Sequence, residues 1–145
     1  MRISDILRVK GDQVVTVTPE TTVRQLVTVL VEHKIGAVIV SRDGTSIDGI
    51  VSERDIVRAL AGRGDAVLSE AVTAIHTTEV HTVAPDAALS DVEQLMTRGR
   101  FRHVPVVLDG RLRGILSIGD VVKNRLDELE GERSALTGYI TGERP

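Results

Sequence analysis

Gly49-Ile50-Val51-Ser52-Glu53-Arg54-Asp55-Ile56-Val57 and Gly114-Ile115-Leu116-Ser117-Ile118-Gly119-Asp120-Val121-Val122 are two versions of one pattern. Each begins with a glycine and a short apolar run, which reads as a strand, and passes through Ser-x-x-Asp into residues that read as a helix. A strand-to-helix corner that occurs twice implies that the unit around it also occurs twice.

Working outward from the corners, the correspondence holds. Val15-Thr16-Val17-Thr18-Pro19 aligns with His81-Thr82-Val83-Ala84-Pro85, and Val23, Leu26 and Leu30 align with Leu89, Val92 and Met96. Asp43-Gly44 aligns with Asp109-Gly110, after which copy one carries one extra residue in Thr45-Ser46-Ile47-Asp48, a turn where added length is tolerated. The leading segments also agree, Ile3-Ser4-Asp5 against Leu68-Ser69-Glu70. Copy one therefore spans residues 1–62 and copy two residues 67–127. Gly62-Arg63-Gly64-Asp65 is the link, and residues 128–145 form a helical tail.

Within copy one, Val23, Leu26, Val27, Leu30 and Val31 fall on one helical face, with Thr22 and Gln25 as a capping box and Gly36 as the stop. Ala37-Val38-Ile39-Val40, the Asp43-Gly44 turn and Gly49-Ile50-Val51 read as a hairpin, and a second helix starts at Ser52. With Val14-Val15-Thr16-Val17 as a leading strand, the fold class is α/β: two pseudo-symmetric β-α-β-β-α repeats. A short helical turn precedes each, at Ile3 to Leu7 and at Leu68 to Val72. A three-stranded sheet with helices on one face leaves its other face open, and the second copy is the natural cover, so the repeats pack as one module.

Composition narrows the function. The apolar fraction of 41% is supplied by Val, Leu, Ile and Ala, with Phe101 and Tyr139 as the only aromatics. A net charge of −3 and a pI near 5.8 lack the basic footprint of a nucleic-acid binder, and the stacking platforms of single-strand binders are absent as well. No apolar run approaches the about 18 residues of a membrane span, and Met1 leads into Arg2-Ile3-Ser4-Asp5 rather than a signal peptide, so a cytoplasmic location is expected. With no cysteine, and with His33, His76 and His81 outside any ligand spacing, no metal site is expected and these histidines read as surface residues.

The Ser-x-x-Asp corner has two readings. Ser52 with Asp55, and Ser117 with Asp120, can each be an N-cap and N3 pair stabilised by the first-turn N–H groups. The same geometry can offer N–H donors to a phosphate while the carboxylate accepts the hydroxyls of a ribose. Duplication in register favours the second reading.

Together with Val-Thr-Pro-Glu-Thr-Thr-Val at residues 17–23 and Arg-His-Val-Pro-Val-Val at 102–107, these corners resemble CBS (cystathionine β-synthase) domains over residues 1–127. The resemblance implies a Bateman module, a pseudo-twofold αβ disc with two clefts. It implies a regulatory adenosine ligand (AMP, ADP, ATP, NAD or S-adenosylmethionine), with AMP the first choice and no cofactor required. Carried onto this chain, the first cleft would use Ser117, Gly119 and Asp120 with the backbone of Ile35, Gly36 and Ala37, and Arg102 and His103 near its phosphate. The second would use Ser52, Arg54 and Asp55, with Thr73, Thr78 and the backbone around Phe101 to His103 nearer the base. Gly119 stands where copy one has Arg54, and Gly36-Ala37 where copy two has Arg102-His103, so the clefts are expected to differ in affinity.

In the tail, Val122, Leu126, Leu129, Leu136 and Ile140 form a helical stripe suited either to the module itself or to a second subunit, and the resemblance implies a homodimer. No nucleophile with a base, paired catalytic carboxylates or metal cluster accompanies the repeated motif, so no enzymatic activity is expected. The competing expectation is a ligand-free scaffold for dimerisation or docking. In either case the regulated protein would be a separate chain.

Overall fold

The computed structural model describes residues 1–11 and 13–140, without the side chains of residues 139 and 140. In chain order the elements are α1 (Ile3–Lys10), β1 (Thr16–Val17), α2 (Val23–His33), β2 (Ala37–Val40), β3 (Gly49–Ser52) and α3 (Glu53–Arg63). Two 3-10 turns follow (Asp65–Ser69 and Val72–Ala74), then α4 (Leu89–Gly99), β4 (His103–Leu108), β5 (Arg111–Ser117) and α5 (Ile118–Ile140).

The first sheet runs β1-β2-β3, with β1 parallel to β2 and β2 antiparallel to β3. The second pairs β4 with β5, and the leading strand expected for copy two shrinks to one parallel bridge, Val83 to Val106. Val83 N–H donates to Pro105 O at 3.0 Å and its carbonyl accepts from Val107 N–H at 2.9 Å. The next residue that would donate along this ladder is Pro85, which has no N–H, so pairing ends. All four residues of β2 are buried, which requires cover on both faces of the sheet.

Local chemistry explains the element ends. The Thr22–Gln25 capping box forms reciprocally, with Gln25 N–H donating to Thr22 Oγ1 at 3.1 Å and Thr22 N–H to Gln25 Oε1 at 2.9 Å. Gly36 does not stop α2. Lys34 does so in a left-handed conformation (φ 54°), and Gly36 serves packing, since a Cβ there would meet Glu53 Oε1 at 3.3 Å and His103 Cε1 at 3.6 Å. Asp109 and Gly110, both at positive φ, close the β4–β5 hairpin as expected of a primed turn. The β2–β3 turn is held instead by the Asp43 carboxylate, which accepts from the N–H groups of Ser46 (2.7 Å) and Thr45 (2.9 Å). Those bonds hold its pKa well below the usual carboxylate range.

There are two aliphatic cores, and the leading segments cross between them. Ile3 and Ile6 of α1 pack with Leu89, Val92, Met96, Val104, Val106, Leu116 and Val121 of copy two. Val67 and Val72, which lead copy two, pack with Val23, Leu26, Leu30, Val38 and Val51 of copy one. Backbone bonds fasten both crossings: Ile3 N–H to Ala87 O at 3.0 Å, and Val72 N–H to Thr21 O at 2.8 Å. α1 also runs one turn beyond the Leu7 expected from sequence, to Lys10. That extra turn delivers a cation to the far corner.

Candidate functional site

Both Ser-x-x-Asp corners are helix caps. At the β3–α3 corner, Ser52 N–H donates to Asp55 Oδ2 at 2.9 Å, Ser52 Oγ donates to the same oxygen at 3.1 Å, and Asp55 N–H reaches Ser52 Oγ at 3.4 Å. At the β5–α5 corner, Ser117 N–H donates to Asp120 Oδ2 at 2.8 Å and Asp120 N–H to Ser117 Oγ at 3.1 Å. In each copy the first helical N–H is taken by the carbonyl just before the first strand of the same hairpin: Glu53 N–H by Gly36 O at 2.9 Å, and Ile118 N–H by Arg102 O at 2.7 Å.

Capping leaves Asp55 Oδ1 with no hydrogen-bond partner among the described residues, so the cap and ligand readings coexist at this corner. Asp120 differs. Lys10 Nζ donates to Asp120 Oδ2 at 2.5 Å and to Ile115 O at 2.7 Å. Burial opposes ionisation of Asp120, but the Lys10 ammonium and the Ser117 bonds prevail and hold its carboxyl below the usual value.

A cavity of about 510 Å³ opens over the first corner. Three segments line it: Ser52, Glu53, Arg54, Asp55 and Arg58 from the corner and α3; Gly99, Arg100, Phe101, Arg102 and His103 from the end of α4 into β4; and Thr77, Glu79, Val80 and His81 between them in the chain. The first turn of α3 lines it, so the positive end of the helix dipole is part of the wall. The His103 imidazole is pushed below its ordinary pKa by burial, with Lys10 and Arg102 acting the same way and Glu53 and Asp120 opposing; it is neutral at neutral pH.

Among the residues expected for the second cleft, Ser52, Arg54, Asp55, Phe101, Arg102 and His103 are thus brought together. Thr73 and Thr78 are not among the lining residues. The segment after the 3-10 turns adds to the outer edge of β3 through Ile50 N–H to Thr77 O (2.9 Å) and Thr77 N–H to Ile50 O (2.8 Å), which places Thr77, not Thr78, on the wall. For the first cleft, Gly36, Arg102 and His103 line this same cavity, whereas Ser117, Gly119, Asp120, Ile35 and Ala37 do not. Ala37 is buried, and Ile35 packs on the first core.

Sequence reasoning missed Arg58, Arg100 and Thr77; His81 is exposed, as expected, but also lines the cavity, and His76 is half-buried. His81 stacks on Phe101, ring centroids 4.4 Å apart, and His76 lies against Gly49 with Nδ1 buried and without a partner. Arg58 was readable, since it stands one helical turn from Arg54. Arg100 was not, because its position depends on the left-handed end of α4 at φ 57°.

A family model described as CBS domain matches residues 3–62 and 72–127. The chain belongs to the CBS domain family. It is a tandem CBS pair, or Bateman module, and solved structures of such pairs superpose on it. A CBS-domain containing protein from Agrobacterium tumefaciens is 44% identical, with a TM-score of 0.83 over 86% of this chain and 99% of that one. The mitochondrial CBS domain-containing protein CBSX3 of Arabidopsis thaliana is 35% identical over 97% of this chain and 72% of its own length. A CBS domain protein from Pyrobaculum aerophilum, solved in complex with AMP, is 32% identical with a TM-score of 0.74, covering 83% of this CBS pair and 89% of its own chain. Among the described residues of this pair, no helix is long and apolar enough to cross a membrane and no cluster of ligating side chains could hold a metal ion.

Proposed function

We propose that this CBS pair is a regulatory module that binds one adenosine-containing nucleotide per chain, in the cavity over the β3–α3 corner, and acts on another protein rather than catalysing a reaction. The observation that carries the reading is Asp55, capped on one carboxylate oxygen and unpartnered on the other, lining a cavity that Arg102 and His103 of the second repeat also line. In this assignment Asp55 accepts the ribose hydroxyls, the first turn of α3 with Arg54 meets the phosphate, and the 101–103 backbone meets the base. The AMP complex of the Pyrobaculum relative supports the ligand class.

A thermal-shift scan with adenosine, AMP, ADP, ATP, NAD and S-adenosylmethionine tests it, because a ligand at 100 times its Kd adds about 2.7 kcal/mol of stability. A shift with an adenosine compound that disappears in Asp55→Ala is the expected result, and no shift with any of them would sink the reading.

A second reading, a scaffold that works without ligand, is favoured by one observation: Lys10 already forms an ion pair with Asp120. The same scan separates the two. Under either reading we propose a homodimer. Ile118, Val122, Leu126 and Leu129 are exposed on α5 and Val57 is exposed on α3, so the stripe expected in the tail is not covered by its own module. Leu136 extends that stripe, and the side chain of Ile140 lies outside the described residues.

A further inference from the structure

We infer that the ligand of the open cavity carries two or more linked phosphates, with Arg58 and Arg100 meeting the phosphate beyond the first. This rests on the nucleotide reading above and goes beyond it by choosing among the adenosine compounds.

Four guanidinium groups, Arg54, Arg58, Arg100 and Arg102, line one cavity, and among the described residues none of them makes an ion pair or donates a side-chain hydrogen bond. Arginines elsewhere on the surface do: Arg42 pairs with Asp48, Arg63 with Glu70, and Arg125 with Glu93 and Glu128. The wall also carries Glu53, Asp55 and Glu79, none of them ion-paired with the four arginines, so its formal charge is one positive in excess.

One phosphate monoester has three terminal oxygens. Each of these oxygens accepts more than one hydrogen bond, so it is the spread of the arginines along the cavity, rather than their number, that bears on the number of phosphates. Arg58 lies one turn below Arg54 on α3, about 6 Å further along the axis and away from the N-terminus. Arg100 and Arg102 belong to the 99–103 segment that lines the same cavity. Cations contributed by two separate segments, and spread along α3 away from its N-terminus, fit a chain of phosphates rather than a single group. Like charges held this close repel, and a polyanion between them removes that cost.

The test is calorimetric titration of the full chain with AMP, ADP, ATP and NAD at one fixed salt concentration. The expected order is ATP and ADP at least tenfold tighter than AMP, with the gap narrowing as salt is raised. NAD separates the sources of the shared diphosphate: tight NAD and ADP with no further gain from ATP means the site ends at the second phosphate. Arg58→Gln should weaken ADP and ATP about tenfold and leave AMP unchanged, and Arg100→Gln should do the same. Arg58 is exposed, so its variant keeps the wild-type melting temperature, which is measured alongside. AMP bound as tightly as ATP, or Arg58→Gln weakening AMP and ATP by the same factor, overturns the inference and leaves the nucleotide reading standing. Failure of every compound to bind overturns both.

Discussion

The two Ser-x-x-Asp corners are the same local structure with different neighbours. Each closes a strand, caps a helix and binds its aspartate through Oδ2 to the serine N–H, at 2.9 Å in copy one and 2.8 Å in copy two. What separates them comes from elsewhere in the chain. The α1 helix crosses to copy two and ends at Lys10, whose ammonium reaches Asp120, while the position matching Lys10 ahead of copy two is Ile75, which packs against the first core. Arg54, two residues after Ser52, is matched by Gly119. A duplicated motif thus has one corner facing a cavity and one whose aspartate is ion-paired within the protein.

The comparison breaks first at Asp55. Asp55→Ala removes charge-assisted bonds to a ribose worth about 1.5 to 3 kcal/mol, so nucleotide affinity should fall by roughly 10- to 100-fold, whereas Asp120→Ala should leave affinity at the open cavity within about twofold. Titration calorimetry measures both, and equal losses would mean that the corners are equivalent after all.

A steric difference follows in size. Gly49 opens β3 and Gly114 stands at the matching position inside β5, but a Cβ at Gly49 would stand 2.9 Å from the Thr77 carbonyl and 2.5 Å from His76, while one at Gly114 would meet only the end of the Leu7 side chain, at 2.6 Å. Gly49→Ala should therefore cost about 1 to 3 kcal/mol and Gly114→Ala less, as read by urea denaturation. The reverse order would show that copy one yields more easily than copy two.

Lys10→Ala sharpens the contrast. With its ammonium gone, Asp120 is freed, and the expected outcome is a second, weaker binding event, so that stoichiometry rises from one towards two nucleotides per chain. A stoichiometry that stays at one would show that more than Lys10 closes that corner.

The smallest expected effect is on acid stability. Asp120 has its pKa lowered in the folded state, so its contribution is present above the ordinary carboxylate value of 3.8 and is lost as pH falls through the native value. The melting temperature of the wild type should drop on acidification below about pH 3.8 more steeply than that of Asp120→Asn. Parallel curves would mean that the Lys10–Asp120 pair contributes nothing to folding.

Much of this was legible in the sequence because it is local. The Thr22–Gln25 box, the Asp-Gly hairpins and both Ser-x-x-Asp caps depend on residues a few positions apart, and repetition reinforced each one. Pairing Ser52, Arg54 and Asp55 with residues 101–103 across the module came from the family resemblance. What could not be read depends on the third dimension. Ending α2 at Lys34 rather than Gly36 reflects the close approach of Glu53 and His103, which reserves the glycine for packing. Thr77 displaces Thr78 because the bridge to Ile50 sets the register of an extended segment with no sequence period of its own. Nothing near Lys10 signals that its partner is Asp120, since only the crossing of α1 brings them together.

That crossing makes the two repeats hostages to each other. Severing the chain at Gly64 would leave a front half that keeps α1 but lacks Val67 and Val72, and a back half missing Ile3 and Ile6, so each would expose the apolar floor that the other's leading segment covers. A gene encoding a single repeat of this kind could give a folded product only as an intertwined pair, each copy lending its first residues to its twin.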